Sequence, residues 1–327
     1  MDSKEKIKLY VYPQAKQHAH DKIDLYYNTV PLSEKGTQDH FVLSLPEKAD
    51  YFYMGQLSDD VVINKEKFEF FEGTEERHIC DIEGDWFQKK IPQWLEGSIL
   101  TINSVKKEYV EKNIKMFIRP TFSHLFMEII KNNLELKFNF NDNRSFGFKG
   151  FPDPLRVREK MWAACRSNQI KSDIEFNDKW AAQTSPNSSL RKQYCKKIMG
   201  NTFSLCPRGS GLDSARFFES CFFSRIPIFI SHTPYIFGSH YNIEKPFYFQ
   251  IDADLSVEEI RGNLIKIQNT PTNDLKEMSY NSKMFFEDCV RDYFNDHATN
   301  YNSNLTKAIT IVDSYGGSPS CLLIGTP

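Results

Sequence analysis

The chain has 327 residues, of which 40% are hydrophobic and 26% charged, with a formal net charge of −2. That length allows two domains with a substantial core, and the near-neutral balance argues against a general nucleic-acid or anionic-membrane binder. Seven cysteines, odd in number and without a C-x-x-C pair, argue against a disulfide framework or a zinc site and for a reducing compartment.

Residues 1–12 lack the apolar stretch of a signal peptide, and the chain has no apolar run long enough for a transmembrane helix, so a cytoplasmic protein is expected. Ile7 to Tyr12 alternates and predicts a first strand. His18, His20 and Asp21 follow in a polar segment that suits a solvated loop better than a metal site. Ala49 to Met54, the Ile79-Cys80 stretch, Ser98 to Ile102 and Met116 to Pro120 predict further strands. The strand carrying Ile79 and Cys80 would deliver Glu83, Asp85 and Trp86 to the carboxyl edge of a first sheet, where α/β proteins place their sites. Residues 131–145, rich in Asn, Lys and Asp, read as a linker. They divide an N-terminal domain (1–140) from a C-terminal one (141–305), with a tail over 306–327.

Ser145 to Gly150 opens the second sheet, and Val157 to Asn168 has helical spacing, with Arg158 near its start. Phe203 to Cys206 is an apolar run that reads as a buried strand, broken by the turn formers Pro207 to Gly211. From Asp213 or Ser214, both good N-caps, a helix is predicted to about Phe223, and Ile226 to Ile230 is a second buried strand. His232 then sits in a loop at that strand's end. Phe247 to Ile251 is a further strand. Asp252-Ala253-Asp254 precedes Ser256 and Glu259, which reads as a turn and a capping box, not as a metal site. Final helices are predicted over about 273–301.

Strand, glycine loop, helix and strand over 201–231 make a βαβ unit whose helix N-terminus can receive a phosphate. Gly209 and Gly211 let the backbone approach a ligand, and Arg208 and Arg216 bring positive charge. Arg216 and Glu219 share a helix face, so one could hold a diphosphate while the other accepts from a ribose; a surface ion pair has the same spacing. Familiar phosphate motifs are excluded. Gly211 is followed by Leu212-Asp213 instead of the Lys-Ser/Thr of a P-loop, no third glycine completes a dinucleotide fingerprint, and Leu212 stands where a cysteine phosphatase needs arginine.

The string F-S-L-C-P-R-G-S-G-L-D-S-A-R-F-F-E-S-C-F-F-S-R-I-P-I-F-I-S resembles the signature of the exostosin-type glycosyltransferases, F-x-L-C-P-x-G, S-x-R-x-x-E and G-x-I-P-V-I-x-S. Arg225 departs from it where the family often has a small residue. Weaker similarity runs through Ala49 to Met54 and Arg77 to Trp86, and through Ser145 to Gly150. The resemblance implies an α/β, GT-B-like fold of two facing Rossmann-like domains with a cleft between them. It also implies transfer of a hexosyl or pentosyl unit, as in polysaccharide biosynthesis. The chain departs from the membrane-anchored plan usual among animal and plant relatives, which suggests a soluble, bacterial or viral member. The donor would be a nucleoside diphosphate sugar, favoured as UDP-linked, the acceptor a glycan hydroxyl, and the outcome inversion. No cofactor or metal is implied beyond the donor substrate. Arg158, Arg208, Gly209, Ser210, Ser214, Arg216 and Glu219 are the implied donor-site residues.

An inverting displacement needs a base opposite the departing diphosphate. Asp85 is placed first and Glu83 second, with His18 and His20 as alternatives; Asp85 could equally cap the next helix. Two other functions suit the same stretch: a non-catalytic binding subunit of a transferase complex, or an epimerase acting on a nucleotide sugar.

Overall fold

The computed structural model describes residues 7–12, 41–57, 65–82, 92–95, 97–102, 105–106, 115–118, 138–152, 156–177, 189–209, 211–232, 234–235 and 245–287. All but two short strands fall in two separate parallel sheets, of six and five strands, so the chain is an α/β protein. The described residues from 7 to 118 fall in one compact unit, and those from 138 to 232 and 245 to 287 in a second.

The first unit holds β1 (Ile7–Val11), β2 (Phe41–Leu43), β3 (Tyr51–Leu57), β4 (His78–Ile82), β5 (Ile99–Ile102) and β7 (Lys115–Ile118) in the order β2-β1-β3-β4-β5-β7. All five neighbouring pairs run parallel. The short strand β6 (Val105–Lys106) lies outside this sheet. Leu9, Ile79, Cys80 and Leu100 are buried along its middle strands. Beside them Tyr12, Phe52, Phe68, Phe71 and Trp94 pack around His78. Here the aromatic richness of the sequence serves a core.

The second unit contains β8 (Phe146–Gly150), helix α1 (Val157–Cys165), β9 (Ser172–Phe176), α2 (Ser189–Met199), β10 (Phe203–Pro207), α3 (Ala215–Phe222), β11 (Ile226–Ser231), β13 (Phe249–Asp252), α4 (Val257–Gln268) and α5 (Thr272–Phe285). The two-residue β12 (Pro234–Tyr235) is not part of its sheet. The sheet order is β13-β11-β10-β8-β9, with every pair parallel. The chain steps from β8 outward to β9 and then returns past β8 to β10. The direction of winding therefore reverses between β8 and β10. Ligands of open α/β sheets bind at such a reversal, beyond the carboxyl ends of the strands.

Central strands covered on both faces read as continuous apolar runs. Phe203–Pro207 and Ile226–Ser231 obey this, with every residue buried. Their core neighbours are Val157, Met161, Ile260 and Leu264 from α1 and α4. Helix α3 is buried on nearly every side, Ala215 excepted. Phe217 packs edge-on to Phe229, and Phe218 stacks on Phe285 of α5. A helix enclosed in this way is normally apolar all round. This one carries Arg216 and Glu219, and that exception locates the candidate site.

Sequence periodicity placed most of these elements within a few residues. It did not predict β2 or β9: β9 (SDIEF) is a polar edge strand with three exposed residues. The departure at Arg225 is also accounted for. It follows Ser224, whose φ is 55°, and is buried, with Nη1 donating to the Asn139 carbonyl at 2.9 Å. Burial lowers its pKa to about 10.

Candidate anion site at the carboxyl edge of the second sheet

Parallel pairing of β8, β10 and β11 brings three loops to one edge. The Arg208 amide continues the ladder by donating to the Ile230 carbonyl at 2.9 Å. The loop it begins is closed by Gly209 N to the Asp213 carbonyl at 3.3 Å, and the Ser231 hydroxyl donates to the Leu212 carbonyl at 2.6 Å. Ser214 is the extended N-cap of α3 and makes no side-chain capping bond; its carbonyl instead accepts from Phe217 N at 2.9 Å. The first amides of α3 thus stand at the end of the loop with the positive pole of the helix behind them.

Arg216, in the first turn of α3, lies between two rings, its guanidinium carbon 4.3 Å from the Phe148 centroid and 4.6 Å from that of Tyr194. Its Nη2 donates to the Lys149 carbonyl, while Nη1 is buried with no hydrogen-bond partner. The residue is only 8% exposed. A buried guanidinium with an unused N–H pair is costly unless a further acceptor arrives.

Gly150 makes this position possible: a Cβ there would lie 2.8 Å from Phe148 Cζ and 3.3 Å from Arg216 Nη2. Arg158, at the start of α1, faces the same phenyl ring with its guanidinium carbon 5.9 Å from the centroid. Its Nη1 donates to the Phe151 carbonyl at 2.6 Å, and its Nη2 is 3.7 Å from where a Cβ on Gly209 would stand. Arg158, Gly209 and Arg216 therefore meet at the winding reversal between β8 and β10.

Arg208 is 5% exposed and folds back over its own loop, with Nε donating to the Gly211 carbonyl at 3.0 Å. Glu219 is 1% exposed and accepts a hydrogen bond from the Tyr194 hydroxyl. Burial holds the Tyr194 pKa well above the usual phenol value, so the hydroxyl remains a donor. The spacing of Arg216 and Glu219 does not produce a surface ion pair: both side chains are buried, and Tyr194 touches each of them. Sequence alone places Tyr194 only at the start of the segment leading into β10, not in the site, because its contact with α3 comes from a separate helix. Burial pushes the Cys206 thiol up to about 12, which leaves it inert as a nucleophile.

No protein-family model matches the chain, and no curated protein sequence does. Among solved structures it is similar to TarM, at 10% identity and a TM-score of 0.34, with 74% of this chain and 57% of that one covered. It is also similar to sucrose-phosphate synthase from Thermosynechococcus elongatus, at 8% identity and a TM-score of 0.39, over 96% of this chain and all of the other. The chain thus spans little more than half the length of the first of these.

Ser210, Glu83, Asp85, His18 and His20 lie outside the described residues. Among the described residues no group of acidic, histidine or cysteine side chains could hold a metal ion, and no helix is long and apolar enough to cross a membrane. The Asp252–Asp254 segment forms the expected turn and cap. Asp252 Oδ1 accepts from Asp254 N at 2.9 Å, and Ser256 with Glu259 completes a capping box.

Proposed function

We propose that the chain is a glycosyltransferase that binds a nucleoside diphosphate sugar through its second sheet and passes the sugar to a glycan hydroxyl. The observation that carries this reading is the buried, unpartnered Nη1 of Arg216 beside the α3 N-terminus, at the winding reversal of a parallel sheet. A diphosphate supplies the acceptor that Nη1 lacks, and a departing diphosphate gathers negative charge that this edge would stabilise. Arg158 and Arg208 add positive charge from neighbouring loops, and the Gly209 backbone leaves room for phosphate oxygens. The Ser210 and Ser214 hydroxyls are proposed as further donors.

A UDP-linked donor and inversion are the finer form of the proposal, and both rest on the sequence resemblance. Glu219 is assigned to the ribose end of the same site. For the base we propose Asp85, with Glu83 second, because a displacement needs a carboxylate on the face opposite the leaving group. Isothermal titration with UDP and GDP, followed by a screen of UDP- and GDP-sugars for hydrolysis and transfer, tests the reading. Binding followed by sugar release or transfer is expected. Binding of a nucleoside diphosphate without turnover of any donor would make the chain a non-catalytic binding subunit.

A further inference from the structure

Three neighbouring parallel strands, β10, β11 and β13, are each followed within two residues by a charged or titratable side chain, Arg208, His232 and Asp254. Arg208 Nη1 lies 2.9 Å from His232 Nδ1, and His232 Nε2 lies 3.2 Å from Asp254 Oδ1. The guanidinium can only donate, so Nδ1 is the acceptor and the ring N–H sits on Nε2, directed at Asp254. Guanidinium, imidazole and carboxylate thus form a relay along the sheet edge. We propose that His232 is a positioning residue for the donor site, holding the Arg208 guanidinium over the Gly209–Gly211 loop, with Asp254 as its anchor. This rests on the donor-binding reading above, and it adds two residues that reading does not use.

Several ties support the assignment by fixing the far end of the relay. The turn carrying Asp254 is closed by its amide on Asp252 Oδ1. From α1, Lys160 Nζ donates to the Ala253 carbonyl at 2.9 Å and the Leu255 carbonyl at 3.1 Å. The Ser256–Glu259 capping box pins the following residue, and Ala253 N donates to the Ser231 carbonyl at 3.1 Å. These ties fix the backbone that carries Asp254, whose exposed carboxylate meets His232. Arg208 has long side-chain freedom to lose, and preorganising it reduces the ordering cost when a phosphate arrives. Its Nε donates to Gly211, and the bond from Nη1 to His232 adds a second tie on the guanidinium plane.

The test uses UDP as the probe with the full chain, by isothermal titration, in a double-mutant cycle of Arg208→Ala and His232→Leu. His232→Leu is expected to weaken UDP binding about 5-fold or more with little change in melting temperature. In the Arg208→Ala background the same substitution is expected to add less than about 2-fold, because coupled residues are non-additive. His232→Asn, whose amide oxygen can stand at the place of Nδ1, is expected to recover most of the loss. Additive losses, or a His232→Leu protein that binds UDP like the parent, would overturn the proposal. If His232→Leu does not fold, His232→Ala carries the same cycle, with His232→Asn again as the rescue. A parent that binds neither UDP nor GDP refutes the donor-site reading itself, and the positioning role falls with it.

Discussion

The Arg216 guanidinium carbon lies 4.3 Å from the centre of the Phe148 ring, on a strand 68 residues earlier in the chain. The ring holds the cation by its face, and a second ring, Tyr194, lies 4.6 Å from the same guanidinium carbon. This packing orients the guanidinium so that one nitrogen bonds to Lys149 and the other remains unused.

Arg216→Ala is expected to weaken UDP binding by about 1.5–3 kcal/mol, the range for a hydrogen bond to a charged group. Arg216→Lys should recover little, since an ammonium cannot fill a planar slot between two rings. Titration calorimetry on both variants reads the effect. Parent-like affinity in both would remove Arg216 from the donor site.

Glu219→Gln and Tyr194→Phe are expected to lower nucleotide affinity together, because the Tyr194 hydroxyl and the Glu219 carboxylate are hydrogen-bond partners. Tyr194→Phe removes a hydrogen-bond donor from the buried carboxylate, at a cost of about 1–3 kcal/mol in stability, whereas the amide oxygen of Glu219→Gln can still accept from Tyr194. Melting curves with and without UDP separate that loss from a loss of binding.

Gly150→Ala is expected to displace Phe148 or Arg216, since the added methyl would fall 2.8 Å from the phenyl edge. Overpacking of this kind costs about 1–3 kcal/mol. A UDP affinity and melting temperature equal to the parent's would show that the edge is looser than its contacts imply.

His78 provides a pH prediction in the first unit. Its Nδ1–H donates to the Thr74 carbonyl at 2.8 Å, Nε2 accepts from the Tyr12 hydroxyl at 2.9 Å, and burial lowers its pKa to about 4. The unfolded chain takes up this proton near pH 6.5, so between about 6.5 and 4 the unfolded state binds more protons. The contribution to stability is therefore complete above about pH 6.5 and lost as pH falls toward 4, on the order of 3 kcal/mol in total. Urea midpoints measured across that window should fall less steeply in His78→Gln than in the parent; parallel curves would contradict a neutral buried imidazole.

Asp85→Asn is expected to retain UDP binding and to lower transfer ~100-fold or more, the signature of a lost general base. Unchanged transfer moves the assignment to Glu83, and after it to the histidines of the polar segment following β1.

Local chemistry determined a good deal of this protein. Apolar runs specified the buried strands β10 and β11, Asp213 or Ser214 marked the start of α3, and Ser256 with Glu259 marked that of α4. These signals act between residues a few positions apart, so they are legible in one dimension. Spacing also put Arg216 and Glu219 on one helix face, but it could not distinguish a solvated pair from a buried one. That depended on α3 being enclosed by β10, β11 and α5, and on Phe148 and Tyr194 arriving from distant segments. The Arg208–His232–Asp254 relay was equally hidden, because only parallel pairing of three strands aligns residues 208, 232 and 254 along one edge. Periodicity reports which way a side chain faces; strand register decides what it meets there.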